Sequence, residues 1–214
     1  MSSPTYSIEQ ITIDSAPSVL RQIAALHQQE IREGFLSSLG QDFLTRLYVA
    51  ILENPDVFIF AARENGRTLG YICGAVSTRG VYKKFLVRHA WHVAPTIISR
   101  LFSPRTIRRI TETLLYPSKT DDSGLPEPEI LNFCVSSTQQ RRGIGKRLFS
   151  ALCQEFARRN VDQIRIVTGE SQDSAQRFYE ALGAKKAQEI EVHAGTKSLV
   201  YTFDIARERH AAAA

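Results

Sequence analysis

The residue pattern predicts an α/β protein in which helices flank one mixed β-sheet. Three observations lead there. Strand-like and helix-like segments follow one another in the order β-α-α-β-β-insert-β-α-β-α-β-β. Ile130–Val135 and Ile164–Val167 are nearly continuous apolar runs, the pattern of strands covered on both faces. Val57–Ala62 and Thr68–Ser77 flank Asn65-Gly66, a favoured hairpin pair because both turn residues must take positive φ. The chain of 214 residues is read as a single domain, 1–214. Its 43% hydrophobic and 23% charged residues are ordinary for a packed domain and exclude disordered, collagen-like and coiled-coil classes.

Taken in order, Ile8–Ile13 alternates weakly as a first strand. Ala16–Ile31 carries Val19, Leu20, Ile23, Leu26 and Ile31 at helical spacing, with Gly34 interrupting the pattern. Gln41–Leu52 places Phe43, Leu44, Leu47 and Ile51 on one helix face. Residues 79–128 are read as an insertion, helical up to Leu115 with breaks at Pro95 and Pro104, then a Pro-rich loop from Pro117 to Pro128. After the strand ending at Val135, a helix runs to about Asn160 with Leu148, Leu152 and Phe156 one turn apart. Ser174–Leu182 is a short helix stopped by Gly183. Gln188–Val192 and Leu199–Ile205 form a last hairpin around Ala194-Gly195, the second strand alternating Leu199, Tyr201, Phe203 and Ile205.

No apolar run reaches the roughly 18–20 residues of a membrane span, and the first residues carry no secretory-signal pattern. Cys73, Cys134 and Cys153 are odd in number and widely spaced in apolar segments, which predicts reduced thiols in a cytoplasmic protein, with neither a disulfide frame nor a metal site. Net charge is +5, but Arg79–Arg109 carries +8 with no Asp or Glu, leaving −3 elsewhere. The basic charge belongs to the insertion, and the acidic remainder argues against a nucleic-acid binder. The aromatic residues at helix-like intervals in that segment suggest a lid or a dimerising helix pair, so a homodimer is one expectation.

The chemistry-bearing stretch is Val135-Ser136-Ser137-Thr138-Gln139-Gln140-Arg141-Arg142-Gly143-Ile144-Gly145. A buried strand ends, a loop turns, and a helix opens at glycines. The first N–H groups of a helix have no intrahelical partner and, with the helix dipole, attract anions. Gln140, Arg141, Arg142, Lys146 and Arg147 add donors and positive charge, so the stretch suits a polyphosphate. Neither the Gly-x-x-x-x-Gly-Lys-Ser/Thr loop nor the Gly-x-Gly-x-x-Gly dinucleotide signature is present.

Gln140-Arg141-Arg142-Gly143-Ile144-Gly145 resembles the Gln/Arg-x-x-Gly-x-Gly/Ala loop of the GNAT superfamily of N-acetyltransferases. Ala175-Gln176-Arg177-Phe178-Tyr179-Glu180-Ala181-Leu182-Gly183 is similar to that family's second motif, about 30 residues on. The resemblance implies a GNAT-like central mixed sheet with the helical insertion ahead of the coenzyme-binding strand. It also implies acetyl-coenzyme A as co-substrate without a metal. Cys134, Val135, Gln140, Arg141, Arg142, Gly143, Ile144, Gly145, Lys146 and Gln172 become the expected coenzyme-binding residues; Gln172 stands where the family often has Asn.

Glu129-Ile130-Leu131-Asn132-Phe133-Cys134-Val135 resembles the histone-acetyltransferase branch, which makes Glu129 the expected general base and Tyr179 the group facing the coenzyme sulfur. A backbone N–H near Cys134 or Val135 would serve the thioester oxygen. Cys134 reads as a small buried apolar residue, with no His near it in sequence to activate it. His27, Glu30 and Glu33 end the first helix, where the family places its acceptor pocket. The implied reaction is direct transfer of acetyl to a primary amine in a ternary complex. The acceptor is a small molecule in the preferred reading, with a peptide terminus or lysine left open. The alternative is a non-catalytic coenzyme-A-binding regulator or interaction protein with the same fold.

Overall fold

The computed structural model describes residues 5–32, 36–78, 124–193 and 196–206. The strands are β1 (Ser7–Ile11), β2 (Val57–Glu64), β3 (Arg67–Ala75), β4 (Glu129–Val135), β5 (Gln163–Gly169), β6 (Lys185–His193) and β7 (Thr196–Asp204). The helices are α1 (Pro17–Glu30), α2 (Gln41–Leu52), α3 (Ile144–Arg158) and α4 (Asp173–Ala181), with short 3₁₀ turns at Leu36–Leu39 and Ser137–Gln139. The predicted order is therefore the observed one. The expected helical segment from Arg79 to Leu115, the lid or dimer it would form, and the Ala194-Gly195 turn lie outside the described residues. Gly124–Pro128, the end of the Pro-rich loop, has no helix or strand.

The strands form one seven-stranded sheet in the order β1-β2-β3-β4-β5-β7-β6. Asn65 and Gly66 take φ of 48° and 77°, the double positive φ that a tight hairpin turn needs. Every described strand pair is antiparallel except β4 with β5. That parallel pair is short: only Glu129↔Arg165 and Ile130↔Ile166 are in register. On its other edge β4 bulges against β3, since Cys73 faces Asn132 while Gly74 faces Ile130, leaving Leu131 as the extra residue.

Helix α3 lays Leu148, Leu152 and Phe156 on one face of the sheet against Phe58, Ile72, Ile130 and Ile166, all buried. Helices α1 and α2 cover the other face, where Ile23, Leu44 and Leu47 meet Ile59, Tyr71 and Cys73. Burying such a side chain contributes about 1.5–3 kcal/mol, so both faces are held firmly. The consequence for function is that β4 and β5, gripped from both faces, still part beyond Ile130 and Ile166.

Candidate active site in the split between β4 and β5

A cavity of about 540 Å³ follows this split. Its walls are β4 from Ile130 to Val135, the end of β5 from Ile166 to Thr168, and residues of the loop and helix that follow β4. Of the expected coenzyme-binding residues, Cys134, Val135, Gln140, Arg141, Gly143, Ile144, Gly145, Lys146 and Gln172 all line it, as does Tyr179. Ile31, Phe133, Thr168 and Phe178 line it as well and were not singled out from the sequence.

The helix tip has the expected form. Gly143 is the N-terminal cap of α3 with φ 77°, and no side chain caps the helix. The first helical hydrogen bond is Arg147 N–H to the Gly143 carbonyl, 3.2 Å, so no backbone acceptor of that ladder takes the earlier N–H groups of Ile144, Gly145 and Lys146. The two glycines serve different ends. At Gly143 the requirement is conformational, since a Cβ there would find only the Tyr6 hydroxyl, at 3.9 Å. At Gly145 it is spatial, since a Cβ would lie 3.3 Å from Phe178 Cε2 and 3.5 Å from Phe133 Cζ.

Arg142 departs from expectation. It is not among the cavity-lining residues. Its guanidinium pairs with Glu64 at 2.7 Å and donates to the Thr5 hydroxyl at 2.9 Å and to the Gln139 side chain. Tyr6 adds a hydroxyl donated to the Arg142 carbonyl at 3.3 Å, and its ring lies under the Arg147 guanidinium at 4.8 Å. Arg142 thus ties the loop to the β1 and β2 edge of the sheet, and the Arg142 hydrogen bond lowers the Glu64 carboxyl below its usual range. Arg141, held at φ 63°, is the arginine that faces the cavity. The loop is anchored at its other end by Glu30, whose carboxylate accepts from Ser137 N–H at 3.1 Å.

Backbone donors on β4 can be assigned by alternation. Ser136 N–H donates to the Leu69 carbonyl on the β3 side, 2.8 Å, so Val135 and Phe133 N–H point to the opposite edge, which β5 has left. Of the two residues considered for a backbone donor, Val135 has its N–H on the open edge and Cys134 does not.

Tyr179 sits in an aromatic cluster, its ring centroid 6.3 Å from that of Phe133 and 6.2 Å from that of Phe149. It is both a packed core residue and a cavity-wall residue, and burial raises its phenol above the usual range. Gln172 precedes α4 and its side-chain oxygen accepts from Gly169 N–H at 3.1 Å, closing the β5–α4 turn.

Glu129 is buried at the start of β4, and its Oε2 accepts from Arg165 Nε at 2.7 Å. It is not among the cavity-lining residues. His27 is likewise not an acceptor-pocket group: it is 1% exposed, and its Nδ1 lies 2.6 Å from the Tyr48 hydroxyl and 3.1 Å from that of Tyr71. Burial lowers its pKa to about 4. Glu33 lies outside the described residues. Cys134 borders the cavity, and burial first, then the Glu30 charge, pushes its thiol up, which keeps it protonated and unsuited to nucleophilic attack. Cys73, Cys134 and Cys153 form no disulfide. Among the described residues no cluster of metal-ligating side chains occurs, and no helix is long and apolar enough to cross a membrane.

Comparison with known proteins agrees with this geometry. Residues 110–184 match the family model described as Acetyltransferase (GNAT) family. A search of curated proteins finds no match. Among solved structures, an N-acetyltransferase from Staphylococcus aureus Mu50 is similar at TM-score 0.59 and 12% identity, over 93% of this chain and 99% of that one. An aminoglycoside 6'-N-acetyltransferase complexed with coenzyme A is similar at TM-score 0.60 and 16% identity, over 93% and 97%. Arabidopsis thaliana NAA60 in complex with acetyl-CoA is similar at TM-score 0.55 and 16% identity, over 94% and 99%. The family match over residues 110–184 includes the motif loop at the α3 tip, and the mixed sheet with its parted strands has the fold of these N-acetyltransferase structures.

Proposed function

We propose that the chain is an acetyl-coenzyme-A-dependent N-acetyltransferase that passes the acetyl group to a primary amine by direct attack in a ternary complex. A small molecule is the proposed acceptor, and the three cysteines outside any disulfide support a cytoplasmic setting. The observation that carries the reading is the split between β4 and β5, which ends at an uncapped helix tip and has the Tyr179 side chain on its wall. The presence of coenzyme A or acetyl-CoA in two of the similar structures supports it.

The cavity residues fit an acyl-coenzyme. Ile144, Gly145 and Lys146 N–H with the Arg141 and Lys146 charges would hold the diphosphate. Val135 and Phe133 N–H lie on the open edge of β4, where an extended amide arm takes the place of a neighbouring strand. The coenzyme supplies a thioester whose carbonyl is open to an amine. Preorganised donors act on charge as it develops, and the β4 edge offers them. Tyr179, with its phenol raised, keeps its proton and donates a hydrogen bond toward the departing sulfur.

An alkylamine with a pKa near 10.4 is neutral in only about one part in 2,500 at pH 7, so a proton acceptor matters. Glu129 is the proposed base. The Arg165 ion pair favours a second reading, in which Glu129 is a strut at the point where β4 and β5 part: protonating it would break a buried ion pair, a change that typically costs about 3–5 kcal/mol. Thiol release measured over a panel of amino sugars, polyamines, amino acids, aminoglycosides and peptides tests the proposal. Turnover on one amine class is expected, and its absence on all of them with no coenzyme binding would refute it.

A further inference from the structure

We propose that the Thr168 hydroxyl is a binding contact for the amide-bearing arm of the acyl-coenzyme. The inference rests on the coenzyme reading of the cavity and adds a residue to it. Thr168 is the last buried residue of β5, 3% exposed, on the same side of the strand as Ile164 and Ile166. Those two neighbours are apolar core residues, and a valine would satisfy the same position in the sheet. Thr168 instead carries a hydroxyl, and its Oγ1 is the buried side-chain polar atom without a hydrogen-bond partner among the described residues. Buried polar groups are satisfied as a rule, so an orphaned one asks for a cause.

Position supplies the cause. Thr168 lies in the cavity wall, two residues past the last β4–β5 register pair, roughly 7 Å along the strand. A ligand occupying the split therefore passes between the open edge of β4 and this hydroxyl. A hydroxyl both donates and accepts. Amide groups, which do the same, match it; an acetyl methyl offers nothing, and a thioester sulfur accepts only weakly. The phosphate end of the ligand is assigned to the α3 tip, so the contact falls on the arm and not on the diphosphate.

Two readouts separate this from a structural role. Thr168→Val keeps the shape and removes the hydroxyl. Calorimetric titration with coenzyme A should show Kd rising about 3–10-fold, the range of one neutral hydrogen bond. ADP, which has the diphosphate and lacks the arm, should bind the variant as it binds the wild type. The thermal midpoint without ligand should stay the same or rise, because the variant removes an unsatisfied buried group. Thr168→Ser should restore coenzyme affinity. Unchanged coenzyme affinity in Thr168→Val, an equal loss for ADP, or a fall in thermal midpoint would each overturn the proposal. A wild-type chain that binds neither coenzyme A nor ADP would overturn the coenzyme reading beneath it.

Discussion

Arg142 and Glu64, 78 positions apart in the chain, are joined by a guanidinium–carboxylate pair at 2.7 Å. This links the loop before α3 to the end of β2, and it converts an arginine of the anion-binding motif into a brace. The loop's conformation is then set before any ligand arrives, which lowers the ordering cost of binding. Glu64→Gln should weaken coenzyme A binding about 2–5-fold, in line with the modest strength of exposed pairs, by loosening the loop. If Arg142 contacted phosphate instead, Glu64→Gln would free it and tighten binding. Calorimetry with both Glu64→Gln and Arg142→Gln decides between the two.

The glycines of the loop should respond differently to alanine. Gly143→Ala forces a side chain into positive φ and should cost about 1 kcal/mol of stability. Gly145→Ala has no such strain, but its Cβ presses on Phe178 in the cavity wall. Its expected effect is weaker coenzyme binding with a smaller change in thermal midpoint. Denaturant unfolding and calorimetry on the two variants check the split.

Tyr179→Phe should leave coenzyme affinity within a few-fold and lower kcat about 10–100-fold, the loss of one hydrogen bond to a charged sulfur. Because burial raises this phenol, the high-pH limb of the rate profile below pH 10 should not change when Tyr179 is replaced. A limb that disappears in Tyr179→Phe would contradict the assignment.

The two readings of Glu129 are separable. Glu129→Gln keeps size and removes the charge facing Arg165. If Glu129 is the base, kcat should fall about 10²–10⁴-fold with the fold intact, as for other general bases. If it is a strut, the loss should appear first as several kcal/mol of stability. Thermal unfolding and single-turnover rates on the same variant distinguish these outcomes.

His27 gives a pH dependence of stability. Its folded pKa of about 4 lies below the unfolded value near 6.5, so the unfolded state binds more protons between those limits. The contribution is fully present above pH 6.5 and is lost as pH falls toward 4, up to about 3 kcal/mol. Denaturant midpoints for wild type and His27→Gln across that range check it; an identical slope in the variant would contradict it.

The loop from Val135 to Gly145 was legible in the sequence because a helix tip, glycines and basic residues act through local geometry. The strand and helix order was legible for the same reason, each element carrying its own periodicity. What sequence could not show were pairings across long separations. Arg142 looked like a phosphate ligand because its partner, Glu64, belongs to a distant hairpin. His27 looked like an acceptor-pocket group at a helix end, and only the packing of α1 and α2 on β3 brings Tyr48 and Tyr71 to it. Thr168 left a faint signal: a hydroxyl in register with Ile164 and Ile166 on a strand otherwise apolar on that face. The parting of β4 and β5 left none, since both segments read as ordinary buried strands.

The most direct test is a calorimetric titration of coenzyme A into the full chain, followed by competition with ADP. One site per chain is expected, displaced by ADP and weakened by Gly145→Ala. Absence of heat, or binding that ADP does not displace, would contradict the assignment of the diphosphate to the α3 tip and with it the acyl-transfer account.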